Sequence, residues 1–181
     1  GYDVADVEAG GNGYVPNSLQ YRPYTATHAR ATSIAGGDPL EDVTNISYRA
    51  KTIETSNVTD MQAVLDTHAK MNGKPVIVVL NLANPTVVSA LEPRASAILV
   101  SFRVQDQAIL DVLTGAVEPS GLLPLQMPAS MRTVEEQGED TPLDMQPYVD
   151  AAGNAYDFAF GLNWAGAIED SRTATYRKDE S

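Results

Sequence analysis

Carboxyl groups can work in pairs, one giving up a proton while the other attacks or activates water. This sequence is rich in them, with 24 Asp and Glu against 12 Lys and Arg in 181 residues, but abundance alone selects none. Other chemistries are easier to set aside. A serine hydrolase needs its nucleophile on a sharp strand-to-helix turn and a histidine base. Only His28 and His68 are present and no Gly-x-Ser-x-Gly occurs. His68 falls on the inward side of a predicted helix, where packing or capping is the simpler role, and His28 has no assigned role. Two histidines without clustered carboxylates do not make a zinc site. The run Glu135, Glu136, Glu139 and Asp140 lacks the glycine-centred loop of a calcium hand and reads as a solvated face or mobile loop. With no cysteine there is no disulfide framework and no thiolate ligand or nucleophile. No metal and no cofactor is expected.

Glycine-rich stretches raise phosphate binding as an alternative. Gly10-Gly-Asn-Gly13 has no buried strand before it and no lysine where a phosphate loop needs one, so neither a P-loop nor a dinucleotide turn is supported. Gly36-Gly-Asp-Pro39 reads as a tight turn. The tyrosines are more suggestive. Tyr2, Tyr14, Tyr21, Tyr24 and Tyr48 are five of the eight in the chain, and they lie among Asp, Asn and Arg. Rings pack on the apolar face of a pyranose while polar neighbours bond its hydroxyls; the plainer alternative is that these rings weld a long loop to the sheet. A net charge of −12 disfavours nucleic acid and anionic membrane as partners. The longest apolar run is far short of the roughly 20 residues of a membrane helix.

The elements that must position such residues centre on Lys74 to Pro85. Val76 to Leu80 is apolar and mostly β-branched, and predicts a strand buried on both faces. Upstream, Met61, Val64, Leu65, His68 and Met71 repeat at helical spacing over residues 60–72, with Thr59 as N-cap and Gly73 just past the end. Downstream, Asn84-Pro85 predicts the start of a short helix to Glu92. A second strand, Ala97 to Phe102, and a helix from about Gln105 to Thr114 ending at Gly115 follow. Leu122 to Met127 predicts a third extended segment between prolines, and Tyr156 to Phe160 a final strand. Strands alternating with short helices imply right-handed crossovers and a mainly parallel sheet. Three regions follow: a loop-rich, Tyr- and Gly-rich segment at 1–56, an α/β core at 57–164 and a polar tail at 165–181, expected to be disordered from Glu169. A start at Gly1, neither Met nor a signal sequence, suggests a processed or excised piece.

Read together, Gly73 to Asn81, Ala97 to Val100, Ala108 to Gly115, Glu118 to Pro128 and Tyr156 to Asn163 resemble the C-terminal domain of glycoside hydrolase family 3, the β-glucosidase and β-xylosidase family. The likeness lies in order and spacing: a strand, an Ala-Ile-Leu-Asp-Val-Leu-Thr-Gly helix, a Pro-Ser-Gly turn and a closing Phe-Gly-Leu segment. The resemblance implies a three-layer αβα sandwich with a mainly parallel sheet and one antiparallel closing strand, of which this chain covers the later part. It implies a retaining, exo-acting β-glycosidase whose nucleophile sits on a separate N-terminal barrel, so the isolated chain is expected to be inactive. Where the family carries a glycine-rich loop with a tryptophan before the helix, this chain has the shorter, glycine-free Ser101 to Asp106.

The stretch Glu8 to Pro16, followed by Gln20, sits where the family's acid/base loop runs. On that resemblance Glu8 is the candidate acid/base, with Asp3 and Asp6 as rivals. Asp3, Asp6, Tyr14 and Tyr21 are the candidate substrate contacts. The expected partners are a β-linked oligosaccharide or glycoside and the barrel, with a homodimer through an open sheet edge as a further expectation; the family favours a periplasmic or secreted location. The rival from another class is a non-catalytic carbohydrate-binding or scaffold module. A flavodoxin-like nucleotide binder fails for want of a phosphate loop.

Overall fold

The structure, a computed structural model, describes residues 58–137 and 144–176, with short pieces at 2–4, 14–16, 20, 24–25 and 52–53. In the first third, β1 (Tyr2–Val4) pairs antiparallel with β2 (Tyr14–Pro16), and β3 (Tyr24–Thr25) with β4 (Thr52–Ile53). Then come α1 (Val58–Lys70), β5 (Ile77–Asn81), β6 (Ala97–Ser101), α2 (Asp106–Leu113), α3 (Met131–Glu136), the hairpin β7 (Leu162–Asn163) and β8 (Gly166–Ala167), and α4 (Ser171–Tyr176).

The centre is as the sequence predicts. β5 and β6 lie side by side and parallel, in register from Ile77↔Ala97 to Asn81↔Ser101. The pairing continues past both ends: Ser96 N–H donates to Val76 O at 2.7 Å, and Leu82 N–H to Ser101 O at 2.8 Å. α1 covers one face of the pair. Its Met61, with Val64 and Leu65, packs on Val76, Val78 and Leu80, and Val88 and Leu91, each 1% exposed, fill the remaining space. His68 is half-buried on the same helix. Thr59 lies inside the helix, because the helix starts at Val58. The exit uses Asn72 (φ 48°) and Gly73 (φ 82°) in the left-handed region, which turns the chain back toward β5.

β5 is covered on one face only. Along β5, Val78 and Leu80 are buried while Ile77 and Val79 are 49% and 39% exposed, so the strand alternates where burial on both faces was expected. α2 keeps the expected span and ends at Gly115 (φ 77°), yet none of its residues is buried. Among the described residues the fold is therefore α/β, with a parallel pair, a covering helix and separate antiparallel pairs.

Three expectations are corrected. No helix spans 85–92; a single 3-10 turn occupies Glu92–Arg94. Val87 packs with Met131 while Val88 packs with Met61 and Leu91, so neighbouring side chains serve opposite clusters. An extended backbone does this and a helix does not. Likewise no strand forms at Tyr156–Phe160, where Ala159 takes φ 66°. That segment instead exchanges single hydrogen bonds with Leu122–Met127: Leu123 N–H to Phe160 O at 2.7 Å, Ala159 N–H to Leu123 O at 2.8 Å and Met127 N–H to Tyr156 O at 2.9 Å. Pro124 and Pro128 lack the N–H groups a continuous ladder needs. Finally, a helix stands in the tail expected to be disordered from Glu169, and α3 reaches Glu136 in the run read as a solvated face or mobile loop, while residues 138–143 and 177–181 lie outside the described residues. α3 is capped by Ser130, whose Oγ accepts from Thr133 N–H at 3.3 Å. α4 is preceded by Asp170, which accepts from the Arg172 backbone at 2.8 Å, and Arg172 Nη1 donates to Ser120 O at 2.8 Å.

Candidate functional site

In parallel α/β sheets, ligands bind beyond the carboxyl ends of the strands, where backbone groups leave the ladder and loops are free to vary. Here that edge is formed by Asn81, Ser101 and the residues after them. Asn81 Oδ1 accepts the Arg103 N–H at 3.0 Å, a side-chain bridge from the end of β5 to the loop leaving β6. Arg103 has φ 59°. A left-handed conformation at a residue with a Cβ costs about 1 kcal/mol, and such strain tends to collect where a loop has a task. Phe102 and Val104 on either side are 42% and 51% exposed. Among the described residues the Arg103 guanidinium has no ion-pair or hydrogen-bond partner. Gln105 is extended and passes the chain into α2. The edge thus offers an aromatic face and a set of free N–H donors on a fixed backbone.

A second polar cluster lies at the end of the pair away from Arg103, around the turn that leads into β6. Glu92 accepts the Tyr148 hydroxyl at 2.8 Å and sits 3.5 Å from that of Tyr156. The two rings meet edge to face at 5.3 Å, and Tyr156 stacks on Phe160 at 5.4 Å. Burial, then the Glu92 carboxylate, pushes Tyr148 up to about 12 and raises Tyr156 as well. Below it, Asp150 accepts from Ala152 N–H at 2.9 Å, Asn154 N–H at 2.8 Å and Asn154 Nδ2 at 2.8 Å. Burial alone would raise its carboxyl, but these bonds outweigh it and hold Asp150 below the usual range. Held in this way, the cluster is a brace tying residues 148–156 to Glu92.

Of the residues singled out from sequence, Asp3 lies on β1 opposite Val15, and Tyr14 on β2 opposite Val4. Asp6, Glu8 and Tyr21 lie outside the described residues. Asn81, Phe102 and Arg103 were not singled out. The glycine-free loop was visible, but an arginine carries no sign that its backbone will turn left-handed. Among the described residues no three His, Asp or Glu side chains gather as metal ligands, and no helix is long and apolar enough to cross a membrane.

The sequence profile of the glycosyl hydrolase family 3 C-terminal domain matches residues 20–164. The chain belongs to glycosyl hydrolase family 3. Within family 3 it is 37% identical over 84 residues to β-glucosidase C of Emericella nidulans, a match covering 46% of this chain and 14% of the relative. It is 34% identical over 97 residues to a probable β-glucosidase C of Aspergillus flavus, covering 54% and 14%. A periplasmic β-glucosidase/β-xylosidase of Dickeya chrysanthemi is 27% identical over 103 residues, covering 57% and 14%. The matched stretch thus spans about a seventh of each relative, or 14%. No solved structure matches the chain at a significant level.

Proposed function

We propose that this chain is the C-terminal-domain portion of a retaining, exo-acting β-glycosidase that removes β-linked glucose or xylose in concert with an N-terminal barrel. The observation that carries the reading is the family 3 match over residues 20–164. Relatives named as β-glucosidases and a β-glucosidase/β-xylosidase support the substrate class. In the proposed reaction a barrel carboxylate attacks the anomeric carbon as the bond to the leaving oxygen breaks, and Glu8 delivers its proton to that oxygen. Water then attacks the same carbon, Glu8 takes the proton from it, and the barrel carboxylate departs. Asp3, Asp6, Tyr14 and Tyr21 contact the sugar. The nucleophile comes from the barrel, so the 181-residue chain alone hydrolyses nothing. A location outside the cytoplasm fits the relative named as periplasmic.

Glu8→Gln in the barrel-containing protein is the test. Turnover of alkyl glucosides, whose leaving group needs the proton, should fall about a hundredfold or more, while that of activated aryl glucosides changes little. Equal loss on both substrates removes Glu8 from the role. Calorimetry on the isolated chain with cellobiose and xylobiose checks the rival: tight binding by a chain whose barrel-containing form never hydrolyses these sugars would make it a binding module.

A further inference from the structure

We propose that the Phe102–Arg103 tip recognises a neutral, hydroxyl-rich ligand, with Arg103 as a specificity-determining donor, Phe102 as the adjoining ring face and Asn81 as the positioning residue. This deepens the glycosidase reading and rests on it for the ligand class.

Three observations converge on the tip. It stands at the carboxyl edge of the parallel pair, where such sheets bind ligands. Its backbone is held in a left-handed turn at φ 59° by the 3.0 Å bond from Arg103 N–H to Asn81 Oδ1, so the main chain that carries the side chain is set before any ligand arrives. The exposed Arg103 guanidinium has no partner among the described residues, and the adjoining Phe102 ring is 42% exposed. A guanidinium offers five N–H donors and accepts nothing. Beside an aromatic face it suits a sugar, whose hydroxyl oxygens accept and whose C–H face packs on a ring. The chain's net charge of −12 disfavours an anionic ligand over a neutral one.

Arg103→Gly is the informative variant, since glycine takes a positive φ without strain and the fold is preserved. In the full chain, amide shifts of Asn81 and of residues 102–105 are followed by NMR during titration with cellobiose, and with glucuronate as the anionic control. Saturable shifts with cellobiose, absent with glucuronate, are expected. Arg103→Gly should weaken them about tenfold, the loss of a charge-assisted hydrogen bond. Asn81→Leu should do the same and Asn81→Asp, which keeps an acceptor, should not. In the barrel-containing protein the same variants should raise KM for cellobiose about tenfold with kcat little changed. A response in either arm that follows this pattern supports the tip. Absent or unsaturable shifts together with an unchanged KM overturn it. If the barrel-containing protein cleaves no β-glucoside while cellobiose still titrates the tip, the glycosidase reading fails and the recognition site stands.

Discussion

Glu92 and its two tyrosines show how residues far apart in sequence set one another's chemistry. Burial first, and then the Glu92 carboxylate against which a phenolate would stand, raise Tyr148 from 10 to about 12. A raised folded-state value means the stabilisation is fully present below pH 10 and is lost as pH climbs through about 12. Alkaline unfolding monitored by circular dichroism should therefore steepen in that window. Glu92→Gln should return Tyr148 toward its ordinary value, visible as phenolate absorbance appearing at lower pH. Gly161 is a second case. A Cβ there would overlap the Gly121 carbonyl oxygen and lie 3.0 Å from Leu122 Cδ2. Backbone cannot step aside as a flexible side chain can, so Gly161→Ala should destabilise by about 1 to 3 kcal/mol, measurable by urea denaturation. Neither relation was readable in the sequence. The Pro-Ser-Gly turn and the Phe-Gly-Leu segment stood out as motifs, but their mutual contact is a product of folding.

Elements were legible where local signals agreed. α1, β5 and α2 each combine periodicity or a β-branched run with a glycine nearby, β6 has an apolar run alone, and all four form within a few residues of their expected bounds. Residues 85–92 mislead because Asn-Pro is a sound helix start, while the demand that Val87 and Val88 enter different clusters is set by tertiary packing. Tyr156–Phe160 misleads because alternation predicts a strand, yet the partner segment carries prolines. In α3 the cap matters unusually, since six residues cannot sustain a helix by propensity. Ser130 and Thr133 satisfy each other's backbone and side chain. Ser130→Ala should cost about 1 kcal/mol, read as a lower urea midpoint with an unchanged slope.

At the scale of the molecule, exposed apolar side chains stand out. Ile77 and Val79 on β5, and Leu110, Leu113 and Val117 in and after α2, are each 37% to 51% exposed, and exposed apolar surface favours association. The isolated chain is expected to self-associate in light scattering, and Ile77→Thr with Val79→Thr to shift it toward monomer. A clean monomer before substitution would contradict this. The fold class was legible at this scale because helix and strand alternate. The catalytic assignment was not, for Glu8 was selected by likeness to a family and by no property of its own neighbourhood in sequence. The loop bearing Arg103 was noticed for what it lacked, and its conformation depends on Asn81, 22 residues earlier.

The family match stops at residue 164, but the ordered chain does not. Arg172 reaches back to the carbonyl of Ser120, and Asp170 holds both its backbone and its guanidinium. Anyone trimming a gene to the domain boundary would cut away that clasp and loosen a proline-rich bend fifty residues upstream. Poor yield from such a clone would then reflect where the scissors fell.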